Sequence, residues 1–208
     1  MIPETLIEKK SIIKTEIEQL TENKRVEELR RKEQKLVGLT RLEGQEIEIV
    51  KKQKLDKNIM QEIIEVVERN IARNKSKYTI YTDGAMNMRI GNEATHKNMG
   101  IGWVQINKAQ DWAEEEVALG AEGWPTSTTA ELIAIWAAIL TIPREKHIEI
   151  YTDSNAAIRN ISRSLEHMNR NSILKRKNAI WIMKIIDLIK TKSVRVEWFK
   201  VKSHSKDK

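Results

Sequence analysis

All aromatic residues of this chain lie in its C-terminal part. The six Trp, three Tyr and one Phe of the 208 residues occur at Tyr78 or later, whereas residues 1–76 consist largely of Lys, Glu, Ile and Leu. The hydrophobic period also changes to two at Lys77, which is typical of a half-buried strand. We therefore predict a charged helical or partly disordered N-terminal segment over 1–76 and a globular domain over 77–208.

The N-terminal segment contains two stretches with helical periodicity. Apolar residues recur at seven-residue spacing from Leu6 to Leu20. Gly38 and Gly44 are expected to interrupt any longer helix, so the sequence gives little support to a long coiled coil. Residues 55–73 carry an apolar stripe at helical spacing, which predicts an amphipathic helix that docks on another part of the protein.

The globular domain combines strand patterns with helix patterns. Alternating apolar and polar residues predict strands, and these segments are 77–82, 100–106, 116–121, 147–152 and 194–201. Helices are predicted for 128–140, 154–162 and 179–189. Polar connections between the first three strands indicate an antiparallel meander. The order of elements predicts an α/β fold, in which a mixed five-stranded sheet is covered by helices.

The first predicted helix of the domain is apolar nearly all round and should be buried. Thr128 or Thr129 is its expected N-cap, and the helix should end before Pro143. Within it, Glu131 is the only charged residue between Glu122 and Arg144. A carboxylate in such an apolar helix indicates a functional role. The alternative explanation is that a glutamate in the first turn gains about 0.3–1 kcal/mol from the helix dipole.

Three carboxylates occupy positions that can converge in space. Asp83 ends the first predicted strand, Asp153 ends the fourth, and Glu131 lies in the first turn of the buried helix. Either aspartate alone is equally typical of a turn. Together the three carboxylates could hold divalent cations such as Mg²⁺, which prefer hard oxygen ligands and activate water for phosphodiester hydrolysis.

Four short motifs lie on a predicted strand, a helix, a strand and the loop after the last strand. They are Tyr81-Thr-Asp-Gly-Ala, Thr129-Ala-Glu-Leu, Tyr151-Thr-Asp-Ser-Asn and Val201-Lys-Ser-His. In this order and in these contexts they resemble the motifs of type 1 ribonuclease H, and the resemblance covers residues 77–208. The resemblance implies a ribonuclease H-like fold and an endonuclease that cuts the RNA strand of an RNA/DNA hybrid. It also implies that Asp83, Glu131 and Asp153 bind two Mg²⁺ ions, with Mn²⁺ as a substitute, and that His204 assists protonation and product release.

The resemblance further implies contacts with the nucleic acid. It places Gly84, Ala85, Ser154 and Asn155 near the substrate backbone. A basic stretch of Arg159, Arg163, Arg170, Lys175, Arg176 and Lys177 could contact phosphates, or could equally be a solvated helix face. The spacing of Trp181 with Ile185 and Leu188 favours a core position over stacking on bases. His147 lies at the start of the fourth predicted strand, no acidic partner is assigned to it, and it is interpreted as a surface residue.

The chain also departs from the family pattern. The segment Met86–Asn98 is longer and more polar than is usual, and a Thr precedes the buried helix where the family commonly has Asn. The sequence stops at Lys208, before a further acidic residue and a helix that the family places after the His loop. We therefore expect a domain that is truncated at its C-terminus. Such a domain could belong to a retroelement-derived protein or to a cellular enzyme, and we favour the retroelement-derived protein.

Composition narrows the remaining alternatives. The chain carries 37 Lys and Arg against 30 Asp and Glu, a net charge of +7, which favours an anionic partner. It has no Cys, hence no disulfide or thiolate metal site. We predict an intracellular, soluble protein with no membrane segment. Two alternatives stay open, namely a non-catalytic ribonuclease H-like domain that binds nucleic acid or a partner, and self-association or partner binding through 1–76.

Overall fold

The computed structural model of the protein describes residues 4–53, 55–86, 99–121, 126–166 and 170–202. The chain divides into two compact units, Met1–Gln45 and Glu46–Lys208. The helix predicted over 55–73 lies in the second unit, although composition groups it with the N-terminal segment. The separation at residues 76 and 77 into two functional parts stays a prediction.

The first helix, α1, is longer than the sequence predicts. It runs continuously over Glu4–Lys51, so the expectation that Gly38 and Gly44 interrupt it is wrong. A helical glycine costs about 1 kcal/mol relative to alanine, and the surrounding Glu, Lys, Arg and Leu residues are good helix formers that offset this cost. Nothing lies within 4 Å of a Cβ built on either glycine, so neither glycine is required there by packing.

The second helix, α2, confirms the predicted amphipathic helix and its docking. It covers Lys57–Arg73, begins at the N-cap Asp56, whose side chain accepts a hydrogen bond from the Asn58 amide, and ends at Asn74 in the left-handed conformation. Its buried side chains are Ile63, Val66, Val67, Asn70 and Ile71. The amide nitrogen of the Asn70 side chain donates to the carbonyl of Thr141 at 3.1 Å. The apolar stripe of α2 therefore packs against the domain.

Within the described ranges the sheet has five strands, as predicted. They are β1 (Lys77–Met86), β2 (Met99–Asn107), β3 (Trp112–Ala121), β4 (His147–Thr152) and β5 (Arg195–Lys200). Their order is β3-β2-β1-β4-β5. The first three strands pair antiparallel, and β4 pairs parallel with β1 and β5. The predicted antiparallel meander and the mixed character of the sheet are confirmed.

The buried helix, α3, covers Ser127–Thr141, and every residue from Thr129 to Thr141 is buried. Its N-cap is Thr126, whose side chain accepts from the Thr129 amide. The expected cap at Thr128 or Thr129 is therefore wrong, because the helix starts earlier and these residues lie within its first turn. The C-cap Ile142 is extended, as the following Pro143 requires.

In the part of the chain that the structure describes, three further helices follow β4. They are α4 (Asn155–Glu166), α5 (Arg170–Leu174) and α6 (Ala179–Lys192). The five-residue α5 was not predicted because it is too short to show a helical period. None of the helices among the described residues combines the length and the apolar composition that crossing a membrane requires.

Candidate active site

The parallel pairing of β1 and β4 brings two aspartates together. Thr152 is the last residue of β4, whereas β1 continues past Asp83 to Met86 beside β2, so the prediction that Asp83 ends the first strand is wrong. The parallel register ends with the pair Thr82 and Thr152. Asp83 and Asp153 are the next residues along, so they lie side by side at one edge of the sheet. Crevices at the carboxyl ends of parallel strands are the usual place for a ligand in such sheets.

The close approach of α3 to β1 adds the third carboxylate. A Cβ atom built on Gly84 would lie 2.3 Å from the backbone nitrogen of Glu131 and 2.4 Å from the carbonyl carbon of Ala130. No side chain fits in that space, so glycine alone lets the helix start lie directly on the strand. The described geometry thus gives Gly84 a packing role, and its contact with substrate stays a prediction.

The three carboxylates form one cluster. Ligand oxygens of Asp83, Glu131 and Asp153 all lie within 4.8 Å of one another. The Asp83 side chain is exposed, Asp153 is half-buried and Glu131 is 4% exposed. The cluster is therefore open on the side of Asp83 and closed on the side of Glu131.

The electrostatics of the cluster favour a cation. Burial, and then the negative charges of Asp153 and Asp83, raise the pKa of Glu131 to about 7, while a hydrogen bond from the Gly84 amide opposes this rise. Repulsion among three close carboxylates is relieved when a divalent cation lies between them. The donor set consists of hard oxygens alone, which suits Mg²⁺ or Mn²⁺.

Hydrogen bonds hold the turn that carries Asp153. The Thr152 hydroxyl donates to Glu131 Oε2 at 3.3 Å and accepts from the Ser154 amide at 3.2 Å. The Ser154 hydroxyl accepts from the Ala157 amide at 3.3 Å, which caps the start of α4. The Lys200 ammonium donates to the carbonyl of Asp153. Thr152 and Lys200 are site residues that the sequence reasoning missed.

A second polar cluster joins the start of α3 to the start of α6. The hydroxyl groups of Thr126 and Thr129 lie 2.7 Å apart, and the Thr129 hydroxyl donates to Asn178 Oδ1 at 3.0 Å. Asn178 is in the left-handed conformation, with φ 63°. The Thr in place of the family's Asn marked this region in the sequence, but the contact with Asn178 joins residues far apart in the chain.

The predicted basic stretch does not behave as one unit. Arg159, Arg163, Lys175 and Lys177 are exposed, whereas Arg176 is half-buried. The Arg176 guanidinium donates to the Ser164 hydroxyl at 3.0 Å, which ties α4 to the residues before α6. The side chain of Arg170 lies outside the described residues. Of the other predicted substrate contacts, Ala85 and Asn155 are exposed at the site edge.

Three further predictions have different outcomes. Trp181 is half-buried and packs edge-on against Trp136, with ring centroids 5.6 Å apart, as the core interpretation predicts. His147 is also half-buried, and its Nε2 lies 3.2 Å from Glu197 Oε1. The assumption that His147 has no acidic partner is wrong, because parallel pairing with β5 supplies Glu197, while 27% of the His147 side chain is exposed. His204 lies outside the described residues.

The sheet order and the carboxylates at its edge define a ribonuclease H-like domain. The sequence model of the RNase H family matches residues 75–208, and the chain belongs to this family. Two curated relatives, ribonuclease H and ribonuclease HI of Campylobacter jejuni strains, are each 28% identical over 127 residues, which cover 61% of this chain and 78% of the relative.

The fold is also similar to that of a solved viral protein. A crystal structure of the prototype foamy virus protease–reverse transcriptase superimposes with a TM-score of 0.51 at 18% identity. The match covers 64% of this chain and 18% of the viral chain. This similarity concerns the fold, and the predicted retroelement origin stays a prediction.

Proposed function

We propose that this protein is an endoribonuclease that hydrolyses the RNA strand of RNA/DNA hybrids with two divalent metal ions. One observation carries the proposal: in a chain of the ribonuclease H family, the ligand oxygens of Asp83, Glu131 and Asp153 converge to within 4.8 Å. Phosphodiester hydrolysis requires a nucleophile at neutral pH and a stabilised leaving oxygen, and two bound divalent ions supply both.

The three carboxylates have different tasks in this proposal. Asp83 is exposed within β1, one residue beyond the last pairing of β1 with β4, so it faces the side from which a nucleic-acid backbone can approach. Glu131 is buried and accepts a hydrogen bond from the Thr152 hydroxyl, so its carboxylate is held in a fixed orientation between the helix and the sheet. Asp153 completes the ligand set from the neighbouring strand end. By its resemblance to the family, His204 would assist protonation and product release.

Recognition of a hybrid depends on its shape rather than on base sequence. The shallow minor groove of an A-like duplex displays the 2′-hydroxyls of the RNA strand, which distinguish it from DNA. We assign the backbone contacts to Ala85 and Asn155, which are exposed beside the carboxylates. The resemblance to the family adds Gly84 and Ser154 to these contacts. The exposed Arg163 of α4 and the exposed Lys175, which directly follows α5, would contact phosphates.

The substrate is tested by a direct comparison of duplexes. A labelled RNA/DNA hybrid, a double-stranded RNA and a double-stranded DNA of one sequence are incubated with the full chain in Mg²⁺, in Mn²⁺ and in chelator. The proposal expects cleavage of the hybrid RNA strand alone, and no cleavage in chelator. Binding of the hybrid without cleavage in either metal would instead assign the chain to non-catalytic nucleic-acid binding.

A further inference from the structure

Lys200 occupies a position in the sheet that brings its ammonium to the main chain of Asp153. It is the last residue of β5, and the parallel register pairs it with Thr152, the last residue of β4. The site aspartate Asp153 follows directly. The end of β5 therefore lies next to the turn that carries one of the three converging carboxylates.

The ammonium of Lys200 links the main chains that leave these two strands. Its Nζ donates to the carbonyl of Asp153 and, at 2.8 Å, to the carbonyl of Val201. The Val201 amide in turn donates to the carbonyl of Thr152 at 3.0 Å. The peptide that follows Asp153 is thus held by a charged donor, and the peptide that precedes Asp153 is held by the backbone of the segment after β5.

These contacts restrict the rotation that would move the Asp153 carboxylate. Turning the peptide plane after Asp153 rotates its carbonyl away from the ammonium and breaks a charge-assisted hydrogen bond, which is stronger than a neutral one. The Thr152 hydroxyl, between Glu131 and the Ser154 amide, restrains the other side of the turn. The lysine side chain is exposed, so its charge reaches the site edge without being desolvated.

We propose that Lys200 is a positioning residue that orients the Asp153 carboxylate for divalent-metal binding. This inference rests on the proposed function, since it assumes that Asp83, Glu131 and Asp153 bind the metal. Lys200 acts through the main chain of Asp153. Groups that orient metal ligands in this way typically change metal affinity or activity by about 10–100-fold when they are removed.

The test measures Mn²⁺ binding to the full chain in the absence of nucleic acid, with electron paramagnetic resonance as the readout. Lys200→Met should weaken Mn²⁺ binding by about tenfold or more, and excess metal should restore most of the cleavage rate. Lys200→Arg, which keeps a charged donor, should retain most of the affinity. Lys190→Met is the matched control, because it removes one exposed charge from α6 and should leave metal binding unchanged.

The sign of the effect separates positioning from simple electrostatics. Loss of a positive charge near three carboxylates would by itself tighten cation binding, so unchanged or tighter Mn²⁺ binding in Lys200→Met overturns the proposal. A raised KM for the hybrid with unchanged metal binding would assign Lys200 to a phosphate contact and also overturn it. If Lys200→Met lowers the melting temperature, Lys200→Gln, which stays polar at this exposed position, repeats the test.

The outcome for the wild-type chain keeps this inference distinct from the proposed function. A wild-type chain that neither binds Mn²⁺ nor cuts the hybrid contradicts the proposed function itself. A wild-type chain that does both, together with a Lys200→Met variant that binds Mn²⁺ equally well, contradicts the role of Lys200 alone.

Discussion

The backbone of Glu131 lies so close to Gly84 that a Cβ atom added to the glycine would lie 2.3 Å from the backbone nitrogen of Glu131. This contact joins the first strand to the buried helix at the point where two candidate metal ligands meet. Both partners in the clash are main-chain atoms, so a side-chain rotation cannot relieve it.

Gly84→Ala should therefore both destabilise the protein and disturb the site. Overpacking of this kind typically costs about 1–3 kcal/mol, measurable as a lower midpoint in urea, and the shift of α3 should weaken metal-dependent cleavage. Gly120→Ala on β3 is the matched control, since nothing lies within 4 Å of its added Cβ. Equal stability of the two variants would contradict the packing role of Gly84.

The pKa of Glu131, raised to about 7 mainly by burial, predicts a pH dependence of stability in chelator. Its unfolded value is the ordinary one near 4.5, so between about pH 4.5 and 7 the folded state holds more protons than the unfolded state. Stability should then fall as pH rises through this window. Melting curves of Glu131→Gln should lack this decline, and an identical pH profile in both proteins would contradict the assignment.

A buried ion pair holds the end of α1 to the domain. Lys192 Nζ lies 2.8 Å from Glu46 Oε2, and both side chains are fully buried. Lys192 also donates to the carbonyls of Leu140 and Ile142 at 2.6 and 2.7 Å, and the Arg144 guanidinium donates to Glu46 Oε1 at 3.0 Å. Burial lowers the pKa of Lys192 to about 8, although the Glu46 charge opposes this.

Glu46→Gln should be strongly destabilising, because it leaves two cations near one another with their carboxylate removed. Breaking a buried pair in this way costs about 3–5 kcal/mol, measured by urea unfolding near pH 7. Glu48→Gln, which removes an exposed partner of Lys52 two residues along the same helix, should hardly change stability. The double variant Glu46→Gln/Lys192→Met should be less unstable than the two single effects added together, and strict additivity would contradict the pairing.

The exposed basic residues predict a salt dependence of hybrid binding. Neutralising Arg163 and Lys175 together should flatten the plot of log affinity against log salt by up to about 0.9 for each phosphate that these side chains neutralise. The control neutralises two other exposed basic residues, Lys190 and Arg195. They lie in the last turn of α6 and at the start of β5, away from the carboxylate cluster. Arg176 is left intact, because its bond to Ser164 gives it a structural role. Equal slopes would show that Arg163 and Lys175 belong to a solvated face.

The sequence could predict the sheet and the three carboxylates for a physical reason. Strand alternation and an all-apolar helix are local signals, and Asp83 and Asp153 are recognisable because each directly follows an alternating stretch. The contacts that orient them are not local. Thr152 reaches Glu131, and Lys200 reaches Asp153, through strand register and helix packing, which no spacing along the chain reveals.

The N-terminal part was harder to predict for a related reason. Gly38 and Gly44 predicted an interruption of α1. The summed helix propensities of the many other residues in this long segment outweigh the cost of two glycines. The partner of Glu46 is Lys192, at the other end of the sequence, so nothing local distinguishes Glu46 from the many exposed glutamates of α1. The buried role of this residue becomes visible in the folded chain alone.

Cleavage of a labelled RNA/DNA hybrid by the wild-type chain and by Asp83→Asn, Glu131→Gln and Asp153→Asn tests the central claim most directly. Each substitution preserves side-chain volume and removes one charge, so folding measured by circular dichroism should persist while Mg²⁺-dependent turnover is nearly abolished. Asp187→Asn, an exposed carboxylate on α6 outside the cluster, should cut at the wild-type rate. A wild-type rate in any of the three site variants, or cleavage by the wild-type chain in chelator, would contradict a metal site built from these carboxylates.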